Sequence, residues 1–276
     1  MQHIEITITT PDVNLQETLI AELSEIGFNG FEESESELKA YVSESDFDEK
    51  QLDEILVQHN LVYSKSTIKE QNWNEVWESN FQPLEVADLT TGKPWIGVRA
   101  DFHQPFQDVD YEIVITPKMS FGTGHHATTY TVMQLMKEID FKNKSVYDFG
   151  TGTGILAILA EMLGATNIVA VDNDDWCIEN SKENIERNNC KHIEIEKVTT
   201  AETGRKFDIL IANINKNIIL DNLSYLAENV SVMSPILLSG LLKEDEADIL
   251  EATRKLGWKH NKTIQKGMWI AMSFIG

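Results

Sequence analysis

Apolar positions along this chain recur with two different periods, and the changes of period mark its elements. Residues 3–9 set Ile4, Ile6 and Ile8 on one face, the two-residue period of a strand. After Pro11-Asp12 the apolar residues Leu15, Leu19, Ile20, Leu23 and Ile26 fall three or four apart, the stripe of a helix that Gly27 closes. Residues 30–34 and 38–42 read as two more strands, 47–59 as a second helix and 61–69 as a returning strand. Strand-helix-strand-strand-helix-strand is the order of a small α+β ferredoxin-like domain, placed here at residues 1–70. Residues 71–82 follow as a linker helix, with Trp73, Trp77 and Phe81 at i, i+4 and i+8 on one face.

From residue 83 to 276 the pattern changes to one larger α/β domain. Strands are expected at 95–99 and 111–116, and a helix at 128–136. From Ser145 onward short apolar runs and amphipathic stretches alternate: 145–149, 155–164, 167–171, 174–189, 193–197, 207–212, 216–229, 234–239 and 243–256. Such alternation predicts a parallel, doubly wound sheet. The last two runs, 259–265 and 269–274, flank Lys266-Gly267 and read as a closing antiparallel hairpin.

Charge narrows the choice of partner. The chain of 276 residues has a formal net charge of −22 at pH 7. Residues 1–60 hold 15 Asp and Glu against 2 Lys and Arg. A surface of this sign repels phosphate backbones and speeds association with cations, so a basic protein is expected as partner and direct tight nucleic-acid binding is not. The first residues lack a basic start and an apolar core segment, and no apolar run approaches bilayer length. Cys177 and Cys190 fit no metal-ligand spacing, and no metal is expected. A cytoplasmic location with reduced thiols and no membrane attachment is therefore expected, and the chain is taken as a monomer.

The chemistry concentrates in Val146-Tyr147-Asp148-Phe149-Gly150-Thr151-Gly152-Thr153-Gly154, a short apolar strand running into three alternating glycines. Alternating glycines turn tightly and let a ligand approach the backbone. The helix behind them aims its first N–H groups at whatever the loop holds. Two cofactor classes fit this much. Gly152, Gly154 and Ala157 satisfy the looser dinucleotide pattern, and Asp172 stands at the distance of a ribose-binding acid. The spacing D-x-G-x-G-x-G, with Asp148 leading, instead resembles the first motif of class I S-adenosylmethionine methyltransferases. A closing hairpin also belongs to that sheet and not to the dehydrogenase one.

Further segments carry a closer resemblance: the Trp73…Trp77 linker, the loop Phe121-Gly122-Thr123-Gly124-His125-His126-Ala127-Thr128-Thr129, the strand ends Ala170–Asp174 and Ala212–Ile214, and Leu238-Ser239-Gly240-Leu241 with Trp269. Together they are similar to the ribosomal protein L11 methyltransferase family over the whole chain. The resemblance implies a doubly wound seven-stranded methyltransferase sheet and S-adenosyl-L-methionine as cofactor. It implies methylation of lysine side-chain and N-terminal α-amino groups on a basic large-subunit ribosomal protein, recognised by the acidic front domain. It assigns cofactor contacts to Phe121, Thr123, Thr129, Asp148, Gly150, Gly152, Gly154, Asp172 and Asn213, with Asn213 also beside the acceptor nitrogen. Departures from the family pattern lie at Thr116-Pro117-Lys118, Asn215 and Ser234-Pro235. They bear on acceptor specificity rather than on cofactor identity.

Overall fold

Ile6 and Ile8 are fully buried and Ile4 nearly so, because β1 (Gln2–Thr9) presents one face to two helices and leaves the other to water. The computed structural model describes residues 2–69, 81–118 and 122–276. The chain divides into two compact units, residues 1–76 and 77–276. In the first unit α1 (Val13–Glu25), β2 (Gly30–Glu33), β3 (Glu37–Ser43), α2 (Glu49–Gln58) and β4 (Tyr63–Lys69) follow β1. The sheet is antiparallel in the order β2-β3-β1-β4. Leu19 and Leu23 of α1 and Leu52 and Leu56 of α2 pack on Ile4, Ile6, Ile8, Leu38, Ala40 and Val42. Asp48 opens α2 by accepting from the Lys50 and Gln51 N–H groups, at 2.9 and 3.3 Å, which is why the helix starts at residue 49 and not at Phe47. The linker residues Trp73 and Trp77, and Phe121, lie outside the described residues.

The second unit opens with β5 (Leu84–Ala87), β6 (Pro94–Arg99) and β7 (Tyr111–Val114), a small sheet of its own in that order. The apolar pattern does not predict β5: four residues, Leu-Glu-Val-Ala, are too few for a period to register. Helix α3 (Ala127–Met136) leads to the main sheet. That sheet is built from β8 (Ser145–Phe149), β9 (Asn167–Asp172), β10 (Ile193–Lys197), β11 (Ile209–Asn213), β12 (Pro235–Leu242), β13 (Lys259–Lys266) and β14 (Trp269–Ile275). Its order is β10-β9-β8-β11-β12-β14-β13. The first five are parallel, and β14 runs antiparallel between β12 and β13. Between the strands lie α4 (Ile155–Met162), α5 (Asp175–Arg187), α6 (Lys216–Glu228) and α7 (Glu246–Lys255). A single 3₁₀ turn, Lys243–Asp245, precedes α7, so the expected 243–256 helix begins three residues late.

Alternation along the strands decides which helix covers which face. Val146, Ile209, Ile211 and Leu237 face one core with α3 and α4. Tyr147, Leu210, Ala212, Ile236 and Leu238 face the other with α6 and α7. Both faces are therefore buried, and polar loops gather at the carboxyl edge of the parallel strands.

Two asparagines of the α5 region fasten the approach to that rim. Asn188 accepts from the Val114 N–H at 2.9 Å and donates to the Val114 carbonyl at 2.7 Å. Asn184, fully buried, accepts from the Thr116 N–H at 2.7 Å and donates to the Thr153 carbonyl at 2.8 Å. Asn184→Ala strands a buried donor and a buried acceptor, each worth about 1–3 kcal/mol. The expected loss of unfolding free energy is about 2–4 kcal/mol by urea denaturation. A change below about 0.5 kcal/mol, the range of an ordinary surface substitution, would contradict this bracing role.

Candidate active site

Five loops meet at the carboxyl rim, and backbone hydrogen bonds hold the first two together. The Gly150 and Thr151 N–H groups both donate to the Val171 carbonyl at 2.9 Å. The Gly152 N–H donates to Asp172 Oδ2, also at 2.9 Å. Gly150, Gly152 and Gly154 have φ of 80°, 56° and 80°, the left-handed region that other residues enter at a cost. A side chain at Gly150 would also collide with Ile214, whose Cδ1 stands 2.9 Å from where a Cβ would lie. Gly154 caps α4 without a side-chain bond, so that helix directs its opening N–H groups at the loop.

Asp172 ends β9 with its carboxylate already oriented. Oδ1 accepts from the Asn173 and Asp174 N–H groups at 2.8 and 3.1 Å, and Oδ2 from Gly152. A carboxylate accepts about four hydrogen bonds, so Oδ2 keeps capacity for a hydroxyl donor in the cleft.

Asp148 stands behind the loop rather than in the cleft. It is fully buried and accepts from the Thr151 hydroxyl at 2.7 Å, with the Ala157 N–H also turned toward the carboxyl. Burial, assisted by the nearby Asp172 charge, pushes its pKa up to about 7, against the Thr151 hydroxyl, which pulls it down. Among the described residues expected from sequence, Asp148, Thr123, Thr129 and Gly154 stand outside the linings of the two cavities.

The third loop begins at Gly122, whose carbonyl accepts from the Thr153 hydroxyl at 2.6 Å. It brings buried Thr123 and Thr129 to the same end of the sheet, and His126 caps α3, accepting from the Thr128 N–H. The His126 ring meets Trp269 edge to face at 4.7 Å, and burial lowers its pKa. The fourth loop follows β11. Asn213 donates through Nδ2 to Thr129 Oγ1 at 3.1 Å, and its Oδ1 is buried with no hydrogen-bond partner among the described residues. Thr129 therefore fixes which end of the amide is committed and which end is left over. Gly240, at the bulge of β12, lets the 213–215 backbone lie against the strand: a Cβ there would stand 2.3 Å from the Ile214 carbonyl oxygen.

The rim encloses two adjoining cavities that share Gly150, Asp172, Asn173 and Ile214. One, of about 340 Å³, continues along Val198, Thr199, Thr200, Ile218, Asn222 and Tyr225. The other, of about 370 Å³, is bounded by His126, Gly152, Cys177, Asn213, Gly240 and Trp269. Both fall in the range of small-ligand sites. The loop Val198–Thr200, to which no sequence motif points, supplies one wall. Its signal is topological: it too follows a parallel strand of the same sheet. Among the described residues, no three His, Cys, Asp or Glu side chains gather as a metal would require.

Counted from β8, the strand order is 3-2-1-4-5-7-6. With a glycine loop after the first strand and an acid ending the second, this defines a class I methyltransferase. The chain belongs to the ribosomal protein L11 methyltransferase (PrmA) family, whose model matches residues 4–275. The ribosomal protein L11 methyltransferase of Phocaeicola vulgatus is 40% identical over 100% of this chain and 99% of its own. That of Porphyromonas gingivalis is 39% identical over 93% and 89%. The crystal structure of ribosomal protein L11 methylase from Lactobacillus delbrueckii subsp. bulgaricus superposes with a TM-score of 0.62 at 25% identity, covering 70% of this chain and 97% of that one.

The buried Asp148 gives a pH test of the loop. Its folded pKa lies above the ordinary 3.8, so ionisation opposes folding. The penalty is absent below pH 3.8, grows as pH rises toward 7, and is complete above it. Asp148→Asn keeps an acceptor for Thr151 and removes the charge. At pH 8 the variant is expected to be more stable than wild type by a few kcal/mol, because each tenfold change in proton affinity is worth about 1.4 kcal/mol. That advantage should shrink toward pH 5, as followed by urea denaturation. A stability difference independent of pH would contradict the assignment.

Proposed function

We propose that this chain transfers methyl groups from S-adenosyl-L-methionine to lysine side-chain and N-terminal α-amino groups of ribosomal protein L11, with Asn213 orienting the acceptor nitrogen. The observation that carries this reading is the orphaned Asn213 Oδ1 between the glycine loop and Trp269. A buried acceptor without a donor costs about 1–3 kcal/mol. An amine N–H from the substrate recovers that cost and, by donating, turns its lone pair away from Asn213.

The residues fit the cofactor. Asp172 Oδ2 suits the hydroxyls of a ribose. Gly150 and Gly152 leave their backbone open to the amino-acid end, with Thr129 and Asn213 beyond them. Thr123 and Asp148 support the loops from behind. The cavity along Val198–Thr200 and Ile218 takes the purine. When bound, S-adenosyl-L-methionine supplies an electrophilic sulfonium methyl, so the chain needs no nucleophile of its own.

What the chain must do is place a neutral amine in line, an effect worth up to about 7–11 kcal/mol. A lysine of pKa about 10.4 costs roughly 4 kcal/mol to deprotonate near pH 7.4, a terminal α-amine under about 1 kcal/mol. Free carboxylates beside the nitrogen would add to that cost. Two carboxylates line the cavity beside Asn213, each oriented by backbone: Asp172 by three N–H groups, and Asp174 by the Trp176 N–H at 2.9 Å. The negative charge is densest in residues 1–60, with 15 acidic against 2 basic side chains, where it attracts a basic ribosomal protein. The same charge disfavours direct tight binding to nucleic acid. No helix among the described residues is long and apolar enough to cross a membrane; a monomer acting in the cytoplasm suits a ribosomal substrate.

Asn213→Ala is expected to keep S-adenosylhomocysteine affinity within about threefold while turnover falls on the order of a hundredfold, the range for one lost transition-state contact. Calorimetry and single-turnover methylation separate the two, and an unchanged methylation rate would sink the assignment. The substrate is tested by incubating purified large-subunit ribosomal proteins with the chain and labelled cofactor, followed by mass spectrometry. Label is expected on L11 amino groups; label confined to another protein would overturn the substrate reading.

A further inference from the structure

We infer that Asn222 is a positioning residue for the cofactor, acting through the loop that walls the purine end of the cleft. The inference rests on the reading of that cavity as the S-adenosyl-L-methionine site. The loop is anchored at its two ends. At its start, the Val198 N–H donates to the carbonyl of Asp172 at 2.9 Å, so the loop leaves β10 tied to the acid expected to hold the ribose. At its end stands Ala201, fully buried, with both backbone groups taken by side chains. Its N–H donates to Asn222 Oδ1 at 2.8 Å. Its carbonyl accepts from Asn229 Nδ2 and, at 3.3 Å, from the Tyr147 hydroxyl. Thr199 and Thr200 span the gap, exposed and lining the cavity.

Asn222 is itself more than nine-tenths buried, and its other amide end is committed, donating to the Ile218 carbonyl at 3.0 Å. Both halves of the side chain are thus held, one by its own helix and one by the loop. The residue converts the position of α6 into the position of Val198–Thr200. A wall fixed before the ligand arrives spares the ordering cost of closing a loop around it, and that saving appears as cofactor affinity. The linkage stays apart from the acceptor side of the cleft, where His126, Asn213 and Trp269 lie.

The test compares wild type with Asn222→Leu, which is close in volume and cannot accept, and Asn222→Asp, which keeps the acceptor for Ala201. For Asn222→Leu, S-adenosylhomocysteine affinity by calorimetry and KM for the methyl donor are expected to worsen by roughly tenfold, the scale of one buried hydrogen bond. kcat at saturating donor and KM for the protein substrate should stay within about twofold, since the uniform binding lost is that of the cofactor. Asn222→Asp is expected to recover most of the affinity. Donor affinity in Asn222→Leu within about twofold of wild type would overturn the inference, as would a fall in kcat with KM unchanged.

Hydrogen exchange on the wild-type chain gives a second readout that needs no variant to fold. The Ala201 amide should exchange slowly without ligand, and the Thr199 and Thr200 amides should slow only on adding S-adenosylhomocysteine. An Ala201 amide exchanging at the rate of an open loop would also overturn it. Failure of the wild-type chain to bind S-adenosylhomocysteine would instead remove the cofactor reading itself, so the two failures are distinguishable.

Discussion

The cleft depends on one junction, where the N–H groups of Gly150, Thr151 and Gly152 donate to the end of β9. Two go to the Val171 carbonyl and one to the Asp172 carboxylate. These bonds make the glycine loop and the neighbouring acid a single object, so the distance between them is set by a sheet register and not by side-chain rotamers. Every other wall is added to this object: Thr153 reaches back to Gly122, Val198 bonds the Asp172 carbonyl, and Ile214 packs against Gly150. Left-handed glycines are what permit it. A Cβ at Gly150 would press on the Ile214 side chain, and one at Gly240 would clash with the Ile214 backbone next to Asn213.

Much of this was legible in the sequence because the relevant signals are local. The two-residue period of β1, the strand–glycine–helix run at 145–162 and the alternation through α7 are each made of short neighbouring segments. The parallel order then follows, since strands joined by helices cannot pair as hairpins. Asp172 and Asn213 could be placed at the rim by the same reasoning, because each ends an apolar run. What could not be read depends on contacts distant in sequence. The strand β5 is too short to show a period. That Asp148 faces inward, and not into the cleft, follows from its position on a strand buried on both faces. The pairing of Asn213 with Thr129 joins residues 84 positions apart. The roles of Asn184 and Asn222 are of the same kind: an isolated asparagine in an amphipathic helix carries no sign that it serves a loop far away in the chain.

The division of charge follows from the chemistry of amine acceptors. A methyltransferase acting on amines meets a cation and reacts with its neutral form. These demands conflict if they are met at one place. Here the acid is densest in the first 60 residues, while the cavity beside Asn213 offers an amide oxygen, an imidazole whose pKa burial lowers, an indole and the Asp172 and Asp174 carboxylates. Attraction of a basic substrate by surface charge acts at long range and sets the rate of encounter.

Apart from the Asp172 carboxylate, the side chains that brace the cleft are uncharged. Asn184, Asn188, Asn222 and Asn229 hold backbone groups through amide hydrogen bonds, Thr153 does so through its hydroxyl, and Thr129 holds the Asn213 side chain. Bonds of this type do not weaken as counterions accumulate, unlike the acidic surface that draws the substrate in. Added salt should therefore act on capture and leave the reaction chamber unaltered. The two tasks answer to separate solution conditions, because capture is written in surface charge and the bracing of the cleft mostly in neutral dipoles.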